Sequence, residues 1–217
     1  MLLAADMGMM FKAWITPVEK IGEGQFRKVF RCDPFAIKIL KEVLVKKQFR
    51  GMAQLPLQPY VRKKYGIADF NRHEFEHYQL LAEILPAHLQ RCFNPIHWAG
   101  HHQGLNISLS DLVLNDDGTP AQPLTRSGII ENGDFWNTLA EIEHFLLDHK
   151  LYFTGVNSDN ILVRRTEGIM QPVVVDYKWL GREAYPCQFW LRSNGRLEKK
   201  LQGKFQQMRF AHQLFSN

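Results

Sequence analysis

The stretch Leu151 to Gly181, LYFTGVNSDNILVRRTEGIMQPVVVDYKWLG, decides how the rest of the chain is read. Asn160-Ile161-Leu162-Val163 and Pro172-Val173-Val174-Val175-Asp176 are short, apolar and β-branched, and turn residues bound them. They predict two buried strands of a hairpin closing around Thr166-Glu167-Gly168. Such a hairpin brings Asn160 and Asp176 side by side at its mouth. An amide oxygen beside a carboxylate is the oxygen-donor pair that a Mg²⁺-bound nucleotide requires. The same letters also occur in ordinary buried strands, so the flanking sequence has to decide between the two readings.

Upstream, Ile21-Gly22-Glu23-Gly24-Gln25-Phe26-Arg27-Lys28-Val29-Phe30 places two glycines between apolar residues. A strand-turn-strand flap needs this where backbone amides approach phosphates closely. Arg27 stands where a G-x-G-x-x-G loop has its third glycine, and two glycines in a hairpin are commonplace. After a turn at Asp33-Pro34, the run Phe35 to Leu40 reads as an apolar strand interrupted by Lys38, with Ala36, Lys38 and Leu40 on one face of the pleat. A buried ammonium needs a carboxylate or phosphate beside it; an edge lysine snorkelling to water is the alternative. Asp69 can cap a helix to about Leu85 that carries Phe70, Glu74, Tyr78, Leu81 and Leu85 on one face. Glu74 is then a carboxylate on an apolar stripe and the natural partner of Lys38, with Glu76 and Glu83 as competitors and a surface ion pair as the plainer reading.

Lys41 to Gly66, basic and interrupted at Pro56 and Pro59, reads as an irregular insertion with at most a short helix. Phe93 to Trp98 and Asn106 to Leu114 read as two more strands, completing a sheet of about five strands with one helix. Asn115-Asp116-Asp117-Gly118-Thr119-Pro120 then reads as a hinge out of that sheet, where an adenine would be held. A second helix, from Asp134 to about His149, buries Phe135, Leu139, Ile142, Phe145 and Leu146 and leads into the opening stretch.

Glycine loop, strand lysine, helix glutamate, strands, hinge, helix, N-I-L-V and V-D-Y follow one another in protein-kinase order. The chain resembles the kinase-like family of the PhoP regulatory network protein YrbL. The resemblance is carried by G-E-G-Q-F-R-K-V-F at 22–30, A-I-K-I at 36–39, H-E-F-E-H-Y at 73–78, N-D-D-G at 115–118, L-Y-F-T-G-V-N-S-D-N-I-L at 151–162 and P-V-V-V-D-Y at 172–177. It implies an α+β, bilobal protein kinase-like fold: an antiparallel N-lobe sheet plus one helix at about 12–116 and a reduced, mainly helical C-lobe at 117–217. The basic insertion at 41–66 would interrupt the N-lobe of this single domain. The resemblance also implies ATP and Mg²⁺ as ligands and a place in a bacterial cytoplasm. Lys38 and Glu74 would orient the phosphates, Asn160 and Asp176 would hold the metal, and Gly22, Gly24, Val29 and Ala36 would line the nucleotide.

Departures from the kinase pattern are as informative. Counting back from Asn160 in H-R-D-L-x-x-x-N, the catalytic aspartate falls at Gly155, the histidine at Phe153 and the usual lysine at Asn157. Loss of a positioned base forfeits about 10²- to 10⁴-fold in rate, without forbidding a transfer that leans on positioning and electrostatics. Asp159, the acid nearby, is expected to point elsewhere. The D-F-G triplet becomes Asp176-Tyr177-Lys178. The short remainder, with no A-P-E, implies that the peptide-binding platform is mostly absent. Two functions therefore compete: a slow or unconventional phosphotransferase, and a pseudokinase that binds a protein partner.

Composition bounds the rest. The 217 residues, with a net charge of +5, have the apolar content of an ordinary globular protein. No run reaches the length of a membrane-spanning helix, and the N-terminus lacks the basic start of a signal peptide. Cys32, Cys92 and Cys187 are far apart, which suits a reducing compartment and no zinc site. Basic stretches at 41–64 and 192–209 offer a surface to a protein partner or another acidic surface, and the former could make the chain a basic adaptor. Nucleic acid ranks last, for no recognised motif accompanies them. A final helix should bury Leu197, Leu201, Phe205 and Met208 and expose Arg196, Lys199, Lys200 and Lys204. The nine histidines, His101-His102 included, match no metal motif.

Overall fold

The computed structural model describes residues 19–48, 51–57, 59–60, 62, 67–152, 155–177 and 195–213. Expectations for residues before 19, for Phe153, Lys178 and Cys187, and for parts of the basic stretches 41–64 and 192–209 lie outside them.

Strands β1 (Lys20–Glu23), β2 (Arg27–Cys32) and β3 (Phe35–Leu40) form an antiparallel meander. With β6 (Ile96–His102) and β7 (Leu105–Asp111) they make a five-stranded sheet in the order β1-β2-β3-β7-β6. Period-2 alternation sorts the side chains. Ile37, Ile107 and Leu109 pack with Phe30, Cys32, Phe35, Ile39 and Trp98 on the outer face. The other face receives helix α1 (Phe70–Ile84), which starts where the Asp69 carboxylate accepts from Arg72 N at 2.9 Å. Phe70, Glu74, Leu81 and Leu85 are buried as the spacing predicts, and so are Asn71 and His77.

The insertion is more regular than its prolines suggest. Val43–Gln48 (β4) and Gly51–Pro56 (β5) pair antiparallel as a separate two-stranded hairpin, which corrects the irregular reading. Pro56 terminates the second strand, where a missing N–H costs the ladder least. The strand expected from Phe93 starts only at Ile96, beyond Pro95. Phe93 instead bridges Val174, with Asn94 N donating to Val174 O at 3.0 Å and Val174 N to Cys92 O at 2.8 Å. These bonds join the first sheet to the second half of the chain.

Among its described residues that half draws most of its regular structure from helices, as expected, and adds one small sheet. After the short helix α2 (Ala87–Gln90) and the large sheet, β8 (Gln122–Pro123) pairs with the hairpin β9 (Ile161–Thr166) and β10 (Ile169–Val174) in a three-stranded sheet. Glu167 and Gly168, at φ 53° and 74°, make the predicted turn. Helix α3 (Gly133–Asp148) packs against β10, and α4 (Arg196–His212) packs on α3, tied to it by Arg209 Nη2 to Glu143 Oε2 at 2.6 Å. The expected apolar stripes of both helices are buried. Tyr152 hydroxyl donates to Glu198, holding the chain after α3 against α4.

The expected hinge is displaced. Asn115–Thr119 is a closed turn: Asn115 N donates to Thr119 O at 2.9 Å, and Leu114 bridges Pro120 antiparallel. It is stapled to the tip of the β9-β10 hairpin, where Arg165 N donates to Asn115 Oδ1 at 2.8 Å and Glu167 N to Asp116. Asn160 and Asp176 lie at the opposite end of that hairpin, so these turn residues are remote from them. The crossing from sheet to sheet is Leu112 to Leu114, where Leu112 N donates to Pro34 O at 3.0 Å and Val113 O accepts from Ala121 N at 2.9 Å. Short-range turn chemistry is legible in N-D-D-G-T, whereas its docking partner, fifty residues away, is not.

Candidate functional site

Lys38 sits mid-strand on β3, opposite Val29 on β2 and Ser108 on β7, with its side chain on the α1 face. Its ammonium donates to Glu74 Oε1 at 3.0 Å and to Val175 O at 2.9 Å. Glu74 is completely buried and Lys38 is 6% exposed, so this ion pair is desolvated. The competitors fall away: Glu76 is exposed and paired with Arg72 Nε at 2.7 Å, and Glu83 is exposed. The bond to Val175 O ties Lys38 directly to the segment preceding Asp176.

Asn160 and Asp176 meet as the hairpin predicts. Val175 N donates to Asn160 O at 3.1 Å, closing the mouth of the hairpin. The Asn160 side-chain NH₂ donates to Gly155 O at 2.6 Å and to Asp176 Oδ2 at 3.4 Å. The loop between them is held by Asn157, whose Oδ1 accepts from Asp159 N at 2.9 Å and Asn160 N at 3.2 Å. Asp159 turns outward and accepts from Thr125 Oγ1 at 2.9 Å.

Gly155 abuts Asp176. A Cβ built there would lie 2.9 Å from Asp176 Cγ, 3.0 Å from Oδ1 and 3.1 Å from Cβ. Real Cβ atoms do not tolerate such separations, so the position excludes every side chain while Asp176 stays in place. The missing base is therefore a matter of volume as well as of sequence.

By the glycine pattern Arg27 reads as a replaced glycine and no site role is expected of it, yet it is central to the site. It opens β2 on the same pleat face as Val29, and its guanidinium is buried between α1 and the hairpin mouth. Nη1 donates to Glu74 and, at 3.3 Å, to Asn71 Oδ1; Nη2 lies 3.8 Å from Asp176 Oδ2. The guanidinium also stands 5.8 Å from the centroid of the Phe70 ring. Burial pulls its pKa below the ordinary arginine value while the Asp176 carboxylate opposes that shift. Counting along β2 in twos from Val29 would have put Arg27 on the Lys38 face. Asn71, a second residue missed, donates to Asn106 Oδ1 at 2.7 Å and to Asn106 O at 3.1 Å, fixing α1 to β7.

The glycine turn is folded inward. Gly24 N donates to Arg27 O at 2.9 Å, and Phe26 packs its ring 5.1 Å from that of Phe70. A Cβ at Gly22 would meet nothing nearer than 3.7 Å, and one at Gly24 nothing nearer than 3.9 Å, so neither glycine is needed to relieve a clash. Lys41, foremost, and Lys20 hold the exposed Glu23 carboxyl down at about 2. Of the residues expected to line a nucleotide, Ala36 is buried and Val29 partly so.

Below the site, Tyr177 is fully buried against Tyr78 and Phe93, with ring centroids 5.4 and 6.2 Å away. Its single hydroxyl proton is shared between Val174 O at 2.6 Å and Asn94 O at 2.9 Å, and burial raises its pKa well above the ordinary tyrosine value. The aromatic of the altered triplet thus anchors Asp176 from beneath. His77 lies against it with its pKa lowered to about 4, by burial first and by His73 second, and a hydrogen bond to the Tyr177 backbone partly offsets both. The His73 and His77 rings are 4.0 Å apart.

Because the folded state disfavours protonated His77, the unfolded chain takes up more protons between about pH 6.5 and pH 4. Stability is full above this window and falls as the pH drops through it. Urea unfolding should show a loss of roughly 1–2 kcal/mol from pH 7 to pH 5, allowing for partial solvent screening. His77→Gln should flatten that slope; an unchanged slope in the variant would refute the assignment.

The five-stranded sheet packed on α1, the lysine–glutamate pair and the asparagine–aspartate hairpin together define a protein kinase-like fold. No protein-family model matches the chain, and no curated protein does. Among solved structures it is similar to a double mutant of the Mycobacterium tuberculosis PknI kinase domain, with TM-score 0.44, 11% identity and coverage of 74% of this chain and 56% of that one. It is also similar to the apo form of PpkA, with TM-score 0.45, 14% identity and coverage of 89% and 63%. The chain thus spans less than two thirds of either neighbour.

Proposed function

We propose that this chain is a nucleotide-binding, kinase-like protein related to the YrbL family, in which Lys38, oriented by Glu74, takes the phosphates of ATP. The observation that carries the reading is the desolvated Lys38–Glu74 pair bonded on to Val175 O beside Asp176, since a cleft ammonium fixed in this way is poised for an anionic ligand. Gly22, Gly24, Val29 and Ala36 would line the nucleotide. Chemistry, if it occurs, proceeds without a side-chain base at position 155. A cytoplasmic setting is part of the proposal; among the described residues no helix is long and apolar enough to cross a membrane.

Mg²⁺ is the expected companion of ATP, with Asn160 and Asp176 as its ligands. The side chains as they stand do not suit it. The Asp176 side chain is 5% exposed, the Asn160 NH₂ rather than its oxygen faces the carboxylate, and a guanidinium stands 3.8 Å from Oδ2. No cluster of three or more His, Cys, Asp or Glu able to hold a metal occurs among the described residues.

Thermal unfolding with ATP and MgCl₂ at about 100 times Kd should show a gain of about 2.7 kcal/mol, or roughly 5–10 °C for a chain of this size. Lys38→Met should abolish the shift. An unshifted wild type, well folded with every nucleotide, would sink the reading. That outcome would leave the second one, a pseudokinase binding an acidic protein surface through 41–64 and 192–209. The closed space at Gly155 is the observation in its favour.

A further inference from the structure

Four charged groups meet in one desolvated cluster: the cations of Arg27 and Lys38 and the carboxylates of Glu74 and Asp176. Their formal charges cancel. Without Arg27 the same cleft would hold one cation and two carboxylates, a net negative pocket that repels polyphosphate until a metal ion neutralises it. The guanidinium supplies that neutralisation from within the chain, and it does so from β2, the strand that follows the glycine turn. It also stands close to the carboxylate on which an arriving divalent cation would have to settle.

We propose that Arg27 is the resident cation of this cleft, and that the polyphosphate of a nucleoside triphosphate binds against Arg27 and Lys38 without a divalent metal. The proposal rests on the nucleotide reading above. A guanidinium suits the task, since its fork can leave one carboxylate and engage two phosphate oxygens in the same plane. Rotation of the Arg27 side chain exchanges Glu74 for phosphate, while Lys38 keeps Glu74 paired. Asp176 then acts as a negative neighbour that weakens phosphate binding, the reverse of a metal ligand's effect.

The two roles for Asp176 predict opposite signs. Titration with a fluorescent ATP analogue, in EDTA and in MgCl₂, should give wild-type affinities within about twofold of each other. In EDTA, Arg27→Met should weaken binding about tenfold or more, Arg27→Lys should recover part of it, and Asp176→Asn should bind as tightly as wild type or tighter. Circular dichroism of each variant establishes that it is folded, and direct Mn²⁺ titration by electron paramagnetic resonance should detect no protein-bound ion. Wild-type binding that requires Mg²⁺ and is lost in Asp176→Asn would overturn the proposal and leave the nucleotide reading intact. Absence of binding in both buffers would overturn both.

Discussion

Replacing Gly155 by aspartate, which puts a carboxylate back where the kinase pattern has its general base, should destabilise the protein by about 3 kcal/mol or more and confer no phosphoryl transfer. The new Cβ would sit 2.9 Å from Asp176 Cγ, and the new carboxylate would be forced against a buried one. Asp176 is short and held by Asn160 and Arg27, so it has little freedom to yield. Gly155→Ala isolates the steric part and should cost about 1–3 kcal/mol. Adding Asp176→Ala to Gly155→Asp should restore part of the loss, because it removes the like charge and the two nearest clashing atoms and leaves the position-176 Cβ at 3.1 Å. Urea denaturation of the four proteins checks this, and a Gly155→Asp variant as stable as wild type would show that the loop relaxes freely. The lost base is thus coupled to the placement of Asp176, and one substitution does not reverse it.

Glu74→Ala should be the other severe change, costing about 3–5 kcal/mol, because it strands two buried cations. Glu74 is fully buried and accepts from both Lys38 and Arg27. Pairing it with Arg27→Met should cost less than the sum of the single changes, since the double variant removes one cation together with one carboxylate and leaves Lys38 and Asp176, whose charges cancel. Additive losses in chemical denaturation would mean that Arg27 and Glu74 act independently, and would contradict the shared network. The cluster need not raise net stability relative to an apolar core of the same volume; it sets charge where a ligand would meet it.

Much of this site can be read from local pattern. Two β-branched runs flanking T-E-G define a hairpin, and its geometry leaves Asn160 and Asp176 at one end. The spacing from Phe70 to Leu85 defines the helix face that carries Glu74, and Lys38 interrupts an apolar strand that needs a counter-charge. Arg27 was harder, because a glycine motif draws attention to what is missing and not to the pleat face its replacement occupies. The β4-β5 hairpin is hidden in the sequence because Pro56 and Pro59 break the strand pattern, although Pro56 merely terminates β5.

What the sequence determined by itself were the periodicities: which residues share a strand face or a helix stripe, and where turns and caps fall, since these depend on neighbours a few positions away. Tertiary structure alone decided which of three glutamates meets Lys38 and where the N-D-D-G turn docks. It also decided that Arg27 turns into the cleft and that Gly155 has no room for a side chain. Each of these depends on the distance between groups some twenty or more residues apart, and packing at near-crystalline density leaves one arrangement in which their volumes and charges are all accommodated.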